Sequence, residues 1–199
     1  MVSRNEARLA EALADMVHAE KAWLVAADVT QADQVSALVE QVVERYGRID
    51  LLVNNVGQGL KRELVETSDE DWQFLVQANL TTTFNCCRAV IPVMRRQTGG
   101  VIINIASKSG RRGEGEFAAY CAVKHGVVGL TRALAESERP FGIQVNAVCP
   151  GPIATEKMIV MYPGADRSQW STPEQVAEAV IYLATPASHA MCGKTLDLF

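Results

Sequence analysis

Two hydrophobic periods alternate along this chain. Short apolar-rich runs stand at Trp23–Val29, Ile49–Val53, Val101–Ala106 and Ile143–Val148, each closed by polar or turn-forming residues such as Asn54-Asn55-Val56-Gly57 or Cys149-Pro150-Gly151. Runs of that length and kind predict strands buried on both faces. Between them the apolar positions recur every three or four residues: Leu9, Leu13 and Val17 within Asn5–Glu20, then Val35, Leu38, Val39, Val42 and Val43 within Gln31–Gly47. This second spacing predicts amphipathic helices, with Gly47 as a stop. Ser68, with Asp71 three positions on, predicts the N-cap of a long helix running to about Met94, with Pro92 near its end. A further helix is expected over Ala118–Ser137, another from Thr172-Pro173-Glu174 to Ala184, and a last strand over Lys194–Phe199; Pro152–Ser171 reads as irregular. Strands alternating with helices predict an α/β fold, a doubly wound parallel sheet covered on both faces. No internal repeat, low-complexity tract or linker interrupts residues 1–199, so a single domain is expected.

Composition narrows the chemistry. With 48% hydrophobic residues the chain can build a substantial core, and a net charge of −4 without basic runs argues against nucleic acid or an anionic membrane as partner. No apolar run approaches the ~18 residues of a membrane span. The charged, amphipathic start MVSRNEARLAEAL is unlike a secretory signal, and the five cysteines include no C-x-x-C, which together predict reduced thiols and a cytoplasmic protein. His18, His125 and His189 are scattered without ligand spacing, so no metal site is expected.

The chemistry gathers between Val101 and Gly129. The strand ends at Ser107, a glycine- and charge-rich loop covers Gly110–Glu116, and the following helix carries Tyr120 and Lys124. Four residues apart, those two side chains share one helix face. A free phenol titrates near ~10, and an ammonium beside it favours the phenolate and lowers that value. Ser107 can donate a hydrogen bond to the same substrate oxygen. Such a set suits protonation of a carbonyl oxygen while hydride reaches its carbon. An isolated Y-x-x-x-K is more simply a surface pair; the strand, loop and helix around this one favour the catalytic reading.

These residues resemble the short-chain dehydrogenase/reductase family along the whole chain, most nearly its 3-oxoacyl-carrier-protein reductases and its sugar or polyol dehydrogenases. Asn54-Asn55-Val56-Gly57 looks like the family's N-N-A-G, Tyr120-Cys121-Ala122-Val123-Lys124 matches Y-x-x-x-K, Pro150-Gly151-Pro152-Ile153-Ala154-Thr155 matches P-G-x-x-x-T, and Asp28-Val29 resembles the adenine-contacting pair. The resemblance implies a Rossmann-like fold and an NAD(P)(H)-dependent oxidoreductase that interconverts a carbonyl and a secondary alcohol. It implies that Tyr120 is the general acid or base, that Lys124 lowers its pKa and holds the nicotinamide ribose, that Ser107 positions the substrate oxygen, and that Asn79 holds a water feeding protons to Lys124. Asn55, Val56, Gly57, Gly151, Ile153 and Thr155 would join Asp28, Val29 and Pro150 along the cofactor. A homodimer or homotetramer, formed through the helices at Ser68–Met94 and Ala118–Ser137, is also implied. The irregular segment with Met158, Met161, Tyr162 and Trp170 resembles the family's substrate lid.

One departure is plain. The family's opening strand and its T-G-x-x-x-G-x-G loop, which hold the pyrophosphate, have no counterpart before Met1-Val2-Ser3-Arg4, which resembles the end of the second strand. The chain therefore reads as an N-terminally truncated member, expected to bind NADPH weakly by itself, and the upstream codons would test this. Gly110-Arg111-Arg112-Gly113-Glu114-Gly115 is a poor substitute, because its spacing is wrong and Glu114 and Glu116 repel phosphate; it reads as a loop beside the substrate. Arg4, past a strand where related folds receive a 2′-phosphate, favours NADP(H) over NAD(H). Without a first strand, the chain is expected to pair Trp23–Val29 against Ile49–Val53, borrow a strand, or be marginally stable. A non-catalytic assembly subunit is the alternative, separable by fluorescence titration with NADPH; a serine hydrolase is disfavoured because G-x-S-x-G is absent.

Overall fold

A computed structural model describes residues 1–14 and 16–199. It is an α/β structure built on two parallel sheets. The first pairs β1 (Val2–Ser3) with β2 (Val25–Ala26), and the second has the order β3 (Leu51–Asn54), β4 (Gly100–Ile105), β5 (Ile143–Pro150), β6 (Thr195–Leu198). Parallel neighbours need crossovers, and helices supply them: α1 (Glu6–Ala14), α2 (Ala32–Tyr46), α3 (Asp69–Leu75), α4 (Thr82–Arg96), α5 (Ala118–Glu138), α6 (Glu156–Met161) and α7 (Pro173–Ala184).

Helices cover both faces of the larger sheet at its central strands, as the apolar runs predict. On one face Ile102, Ile143 and Val145 meet Val39 of α2, Val90, Ile91 and Met94 of α4 and Ala135 of α5. On the other, Ile103 and Val148 meet Val176, Ala179 and Leu183 of α7. Polar side chains inside this core link its elements. Asn54 donates to Asn104 Oδ1 at 2.8 Å, and Asn104 donates to Thr131 Oγ1 at 2.9 Å, which ties β3, β4 and α5 together. Arg95 of α4 grips Glu138 of α5 through two bonds of 2.7 Å.

Several expected boundaries move. Asn5–Glu20 is a helix only over Glu6–Ala14, followed beyond residue 15 by a 3-10 turn at Ala19–Lys21; Val17, assigned to the inner face, is 91% exposed. The part of that expectation at Asp15 lies outside the described residues. Trp23–Val29 contributes just two ladder residues, because β1 offers only two partners. The helix from Ser68 is interrupted by a π turn at Val76–Thr81, and Pro152–Ser171 contains α6, which Thr155 caps through Met158 N–H. The pairing of Trp23–Val29 with Ile49–Val53 does not occur. β2 pairs with β1, and among the described residues no strand pairs with the outer edge of β3.

Candidate active site

The carboxyl ends of β3, β4 and β5 converge on one cleft, where open α/β sheets place their ligands. Ser107 follows β4 in extended conformation, and its Oγ accepts from Ser109 N–H at 3.1 Å. Tyr120, in the first turn of α5, stands close enough to Ser107 for that hydroxyl to favour its phenolate. Lys124, one turn further, is 4% exposed; its ammonium donates to the carbonyl of Ile105 at 3.0 Å and lies 5.8 Å from the Tyr120 ring centre. Strand end, turn and helix start thus bring Ser107, Tyr120 and Lys124 together.

Asn79 arrives from the opposite wall through the π turn. Its amide donates to the carbonyls of Gln58 and Leu75, both at 2.9 Å, and its Oδ1 accepts Gln58 N–H at 3.2 Å. Single π turns of this kind are frequent at functional sites, and this one carries Asn79 to the Gln58 backbone. Glycine at position 57 makes this approach possible: a Cβ there would stand 2.9 Å from Asn79 Oδ1 and 3.1 Å from Lys124 Nζ.

The electrostatics qualify the expectation drawn from the Tyr-Lys spacing. Burial raises the Tyr120 pKa above the ordinary phenol value, the neighbouring Ser107 hydroxyl opposes that rise, and the charges of Glu114 and Cys121 add to it. Burial also lowers Lys124 from 10.5 to about 8. Desolvation therefore dominates both groups, and the phenol stays protonated, the form a proton donor needs. The lysine's anchor is a backbone carbonyl rather than the phenol oxygen, so the predicted lowering of Tyr120 by Lys124 is not what this arrangement produces.

Two cavities adjoin this centre. One, of about 670 Å³, is lined by Ser107, Tyr120, Gly57, Gly151, Ile153 and Thr155, with Met158, Met161 and Tyr162 on its far wall. The other, of about 680 Å³, is lined by Arg4, Asp28, Val29 and Val56, with Phe74 and Gln77 opposite. Gln58 borders both. Asn55 is exposed beyond β3 and lines neither cavity, and Pro150 is buried at the end of β5, paired with Leu198. Trp170 also lines neither; Arg167 covers its ring. The loop Gly110–Gly115 contributes Glu114 to the cavity wall that also carries Tyr120. Two participants were not singled out from the sequence. The Ile105 carbonyl is a backbone group with no sequence signal, and Gln58 acts mainly through its backbone.

The short chain dehydrogenase family profile matches residues 1–163. The chain belongs to the short-chain dehydrogenase family. It is accordingly an NAD(P)-dependent oxidoreductase acting on a small-molecule carbonyl or alcohol. A 3beta-hydroxysteroid dehydrogenase of Mediterraneibacter gnavus is 34% identical, covering 96% of this chain and 80% of its own. A 3-oxoacyl-[acyl-carrier-protein] reductase of Synechocystis is 38% identical, covering 89% and 74%. Among solved structures, ElxO with NADP bound superposes with a TM-score of 0.91 at 29% identity, covering 99% of this chain and 85% of that one.

A nicotinamide dinucleotide suits this short-chain dehydrogenase on its own geometry. The missing Cβ of Gly57 leaves room beside Lys124, and the second cavity is lined by the apolar Val29 and Val56 together with the carboxylate-bearing Asp28. Asp28 is itself held ionised, its pKa lowered by hydrogen bonds from the Thr30 N–H and hydroxyl and by Arg4 at 3.9 Å, against an opposing effect of burial. An ionised carboxylate is the acceptor a ribose or adenine donor requires. Among the described residues no cluster of His, Cys, Asp or Glu could hold a metal ion, and no helix is long and apolar enough to cross a membrane.

Proposed function

We propose that the Tyr120 hydroxyl is the proton donor when this enzyme reduces a ketone to a secondary alcohol, and the acceptor in the reverse direction. The observation carrying this reading is a partly buried, protonated phenol that shares with Ser107 the wall of a cavity large enough for a substrate. The carbonyl oxygen takes the Tyr120 proton, and Ser107 donates to that oxygen from the strand end, which orients it. Lys124, buried one helical turn from Tyr120 and anchored to Ile105, is the group from which Tyr120 recovers its proton. Asn79 holds the Gln58 backbone in place around Gly57. Nicotinamide cofactor, when bound, supplies the hydride that reaches the carbonyl carbon.

NADPH is the proposed form of that cofactor. Arg4 is 74% exposed, weakly paired with Asp28, and free to turn toward a 2′-phosphate in the second cavity. Structures of ElxO with NADP bound support the choice. The far wall of Met158, Met161, Tyr162 and Ile153 suits a ketone with an apolar body, consistent with relatives named for 3-oxoacyl and steroid substrates. Association into a homodimer or homotetramer is also proposed; Trp72 (43% exposed) and Phe84 (45%) lie on the helices that would pair, and light-scattering mass reads the outcome.

The test is turnover of the purified chain with excess NADPH, using a 3-oxobutyryl thioester and a steroid 3-ketone as probes and following NADPH absorbance. Turnover is expected with at least one probe. Tyr120→Phe should cut kcat by about 10²–10⁴ while leaving NADPH binding intact. A Tyr120→Phe protein as active as the parent overturns the assignment of the proton donor. Fluorescence titration with NADPH and NADH side by side should show tighter saturation by NADPH; equal affinities remove the argument from Arg4.

A further inference from the structure

The loop between β4 and α5 holds a carboxylate that the reaction outlined above does not use. Glu114 is only partly exposed, and both of its oxygens are engaged. Oε1 accepts the Ser109 hydroxyl at 2.5 Å, and Oε2 lies 3.3 Å from Lys108 Nζ. Ser109 is itself buried, 5% exposed, and its backbone N–H is the group that donates to Ser107 Oγ. Ser107 in turn shares the cavity wall with Tyr120, and its hydroxyl favours the phenolate. A chain of hydrogen bonds thus runs from Glu114 through Ser109 to Ser107, beside the phenol.

The consequence for Ser107 is directional. A hydroxyl has one proton and two lone pairs. With one lone pair committed to Ser109 N–H, the Ser107 proton is left to point into the cleft, toward the phenol or a substrate oxygen. Ser109 can make that donation only while its short 3-10 turn is held, and within the loop Glu114 holds it by the hydroxyl. The backbone of Glu114 also faces α5: its carbonyl lies 3.9 Å from Cys121 Sγ, next to Tyr120.

We infer that Glu114 is a positioning residue of this short-chain dehydrogenase: through Ser109 it sets the orientation of Ser107, and its carboxylate supplies the negative charge on the cavity wall that Tyr120 shares. This rests on the reading of Tyr120 as proton donor. The phenol is surrounded by Lys124 and Cys121 on its own helix, by Glu114 and Lys108 on the loop, and by Lys61, Lys157 and Tyr162 across the cavity. Lys61 is neutralised by Glu116 at 3.1 Å, as Lys108 is by Glu114. Glu114 is therefore the carboxylate whose removal changes the charge beside the phenol most directly. It also frees the cation of Lys108, so both effects act in one direction, toward the phenolate.

Three variants separate the two parts of the inference. Glu114→Gln keeps an oxygen that accepts from Ser109 and removes the charge. Glu114→Ala removes both. Lys108→Met removes the cation and leaves the carboxylate unopposed. Each is assayed with NADPH and the 3-oxobutyryl thioester for kcat and KM across pH. Each is also titrated directly by phenolate absorbance, taking the difference between proteins with and without Tyr120→Phe. Glu114→Gln is expected to keep kcat near neutral pH within about threefold of the parent, with the phenol titrating at lower pH. Lys108→Met should move the titration to higher pH. Glu114→Ala should lose kcat by between about ten- and a hundredfold with the KM for NADPH unchanged. Identical kinetics for the Gln and Ala variants, or a Tyr120 titration that Glu114→Gln leaves in place, overturns the inference. If the parent turns over neither probe, it is the assignment of Tyr120 that fails, and the absorbance titration still decides the role of Glu114.

Discussion

Lys124 shows how a single side chain carries both a function and a cost. Its ammonium is buried with one backbone carbonyl as its hydrogen-bond partner, and its pKa falls from 10.5 to about 8. Below about pH 8 the group is charged in both folded and unfolded states, so folding bears the whole penalty of burying the charge. As pH rises from about 8 to 10.5 the folded protein releases the proton while the unfolded chain keeps it, and stability rises; above 10.5 the penalty is gone. Lys124→Met should therefore melt higher than the parent at neutral pH. Each tenfold loss of proton affinity on folding is worth ~1.4 kcal/mol, and the lost bond to Ile105 subtracts ~1 kcal/mol, so the gain is about 2 kcal/mol. Thermal melts across pH check this, and a Met variant no more stable than the parent at neutral pH would contradict it. The gain must shrink toward pH 10.5 and must come with lost turnover, the familiar conflict between stability and an active site.

At the scale of elements, the π turn at Val76–Thr81 is what aims Asn79 into the cleft, and it can be tested through that side chain. The side chain closes three hydrogen bonds, two of them to Gln58. Asn79→Ala leaves the Gln58 N–H and carbonyl without those partners and should cost about 1–3 kcal/mol of stability along with turnover. Gly57→Ala attacks the same junction from the loop that follows β3. Its Cβ would stand 2.9 Å from Asn79 Oδ1, so activity should fall at least tenfold, by about the cost of one displaced catalytic contact. Circular dichroism should show the fold of the Gly57→Ala protein unchanged; an active, folded variant would show that the close approach is dispensable. The helix around Asn79 was legible from Ser68 and its capping box, but the turn inside it was not. A π turn needs no special residue, only a side chain whose best partners lie across a cleft.

Across the whole molecule, the sheet outruns its cover on one side. A helix is ~10 Å across, about the width of two strands spaced ~4.8 Å apart, so α7 covers the middle of a four-stranded sheet and no more. Leu51 and Val53, whose register partners are Val101 and Ile103, point to the α7 face and remain 41% and 38% exposed. Together with the unpaired edge of β3 they form an apolar strip that favours association. Leu51→Lys should reduce scattering at high protein concentration while changing stability by no more than about 0.5 kcal/mol, as expected for an exposed site. Unchanged concentration-dependent scattering in the Lys variant would place the association elsewhere.

The sequence by itself determined the elements whose signals are local. The period of Val35 and Val39 set α2, Gly47 at φ 76° stopped it, Thr172 capped α7, and the apolar runs at β4 and β5 set the central strands. It also placed Ser107, Tyr120 and Lys124 near one another, since a strand end and two turns of one helix leave little choice. Tertiary structure decided the rest, because those outcomes depend on groups far apart in the chain. Where the Lys124 ammonium anchors is fixed by the Ile105 carbonyl, and which way the Tyr120 pKa moves is fixed by how much of the molecule closes over it. Burial and partnership are properties of the assembled fold, so the charges in the cleft became readable only there.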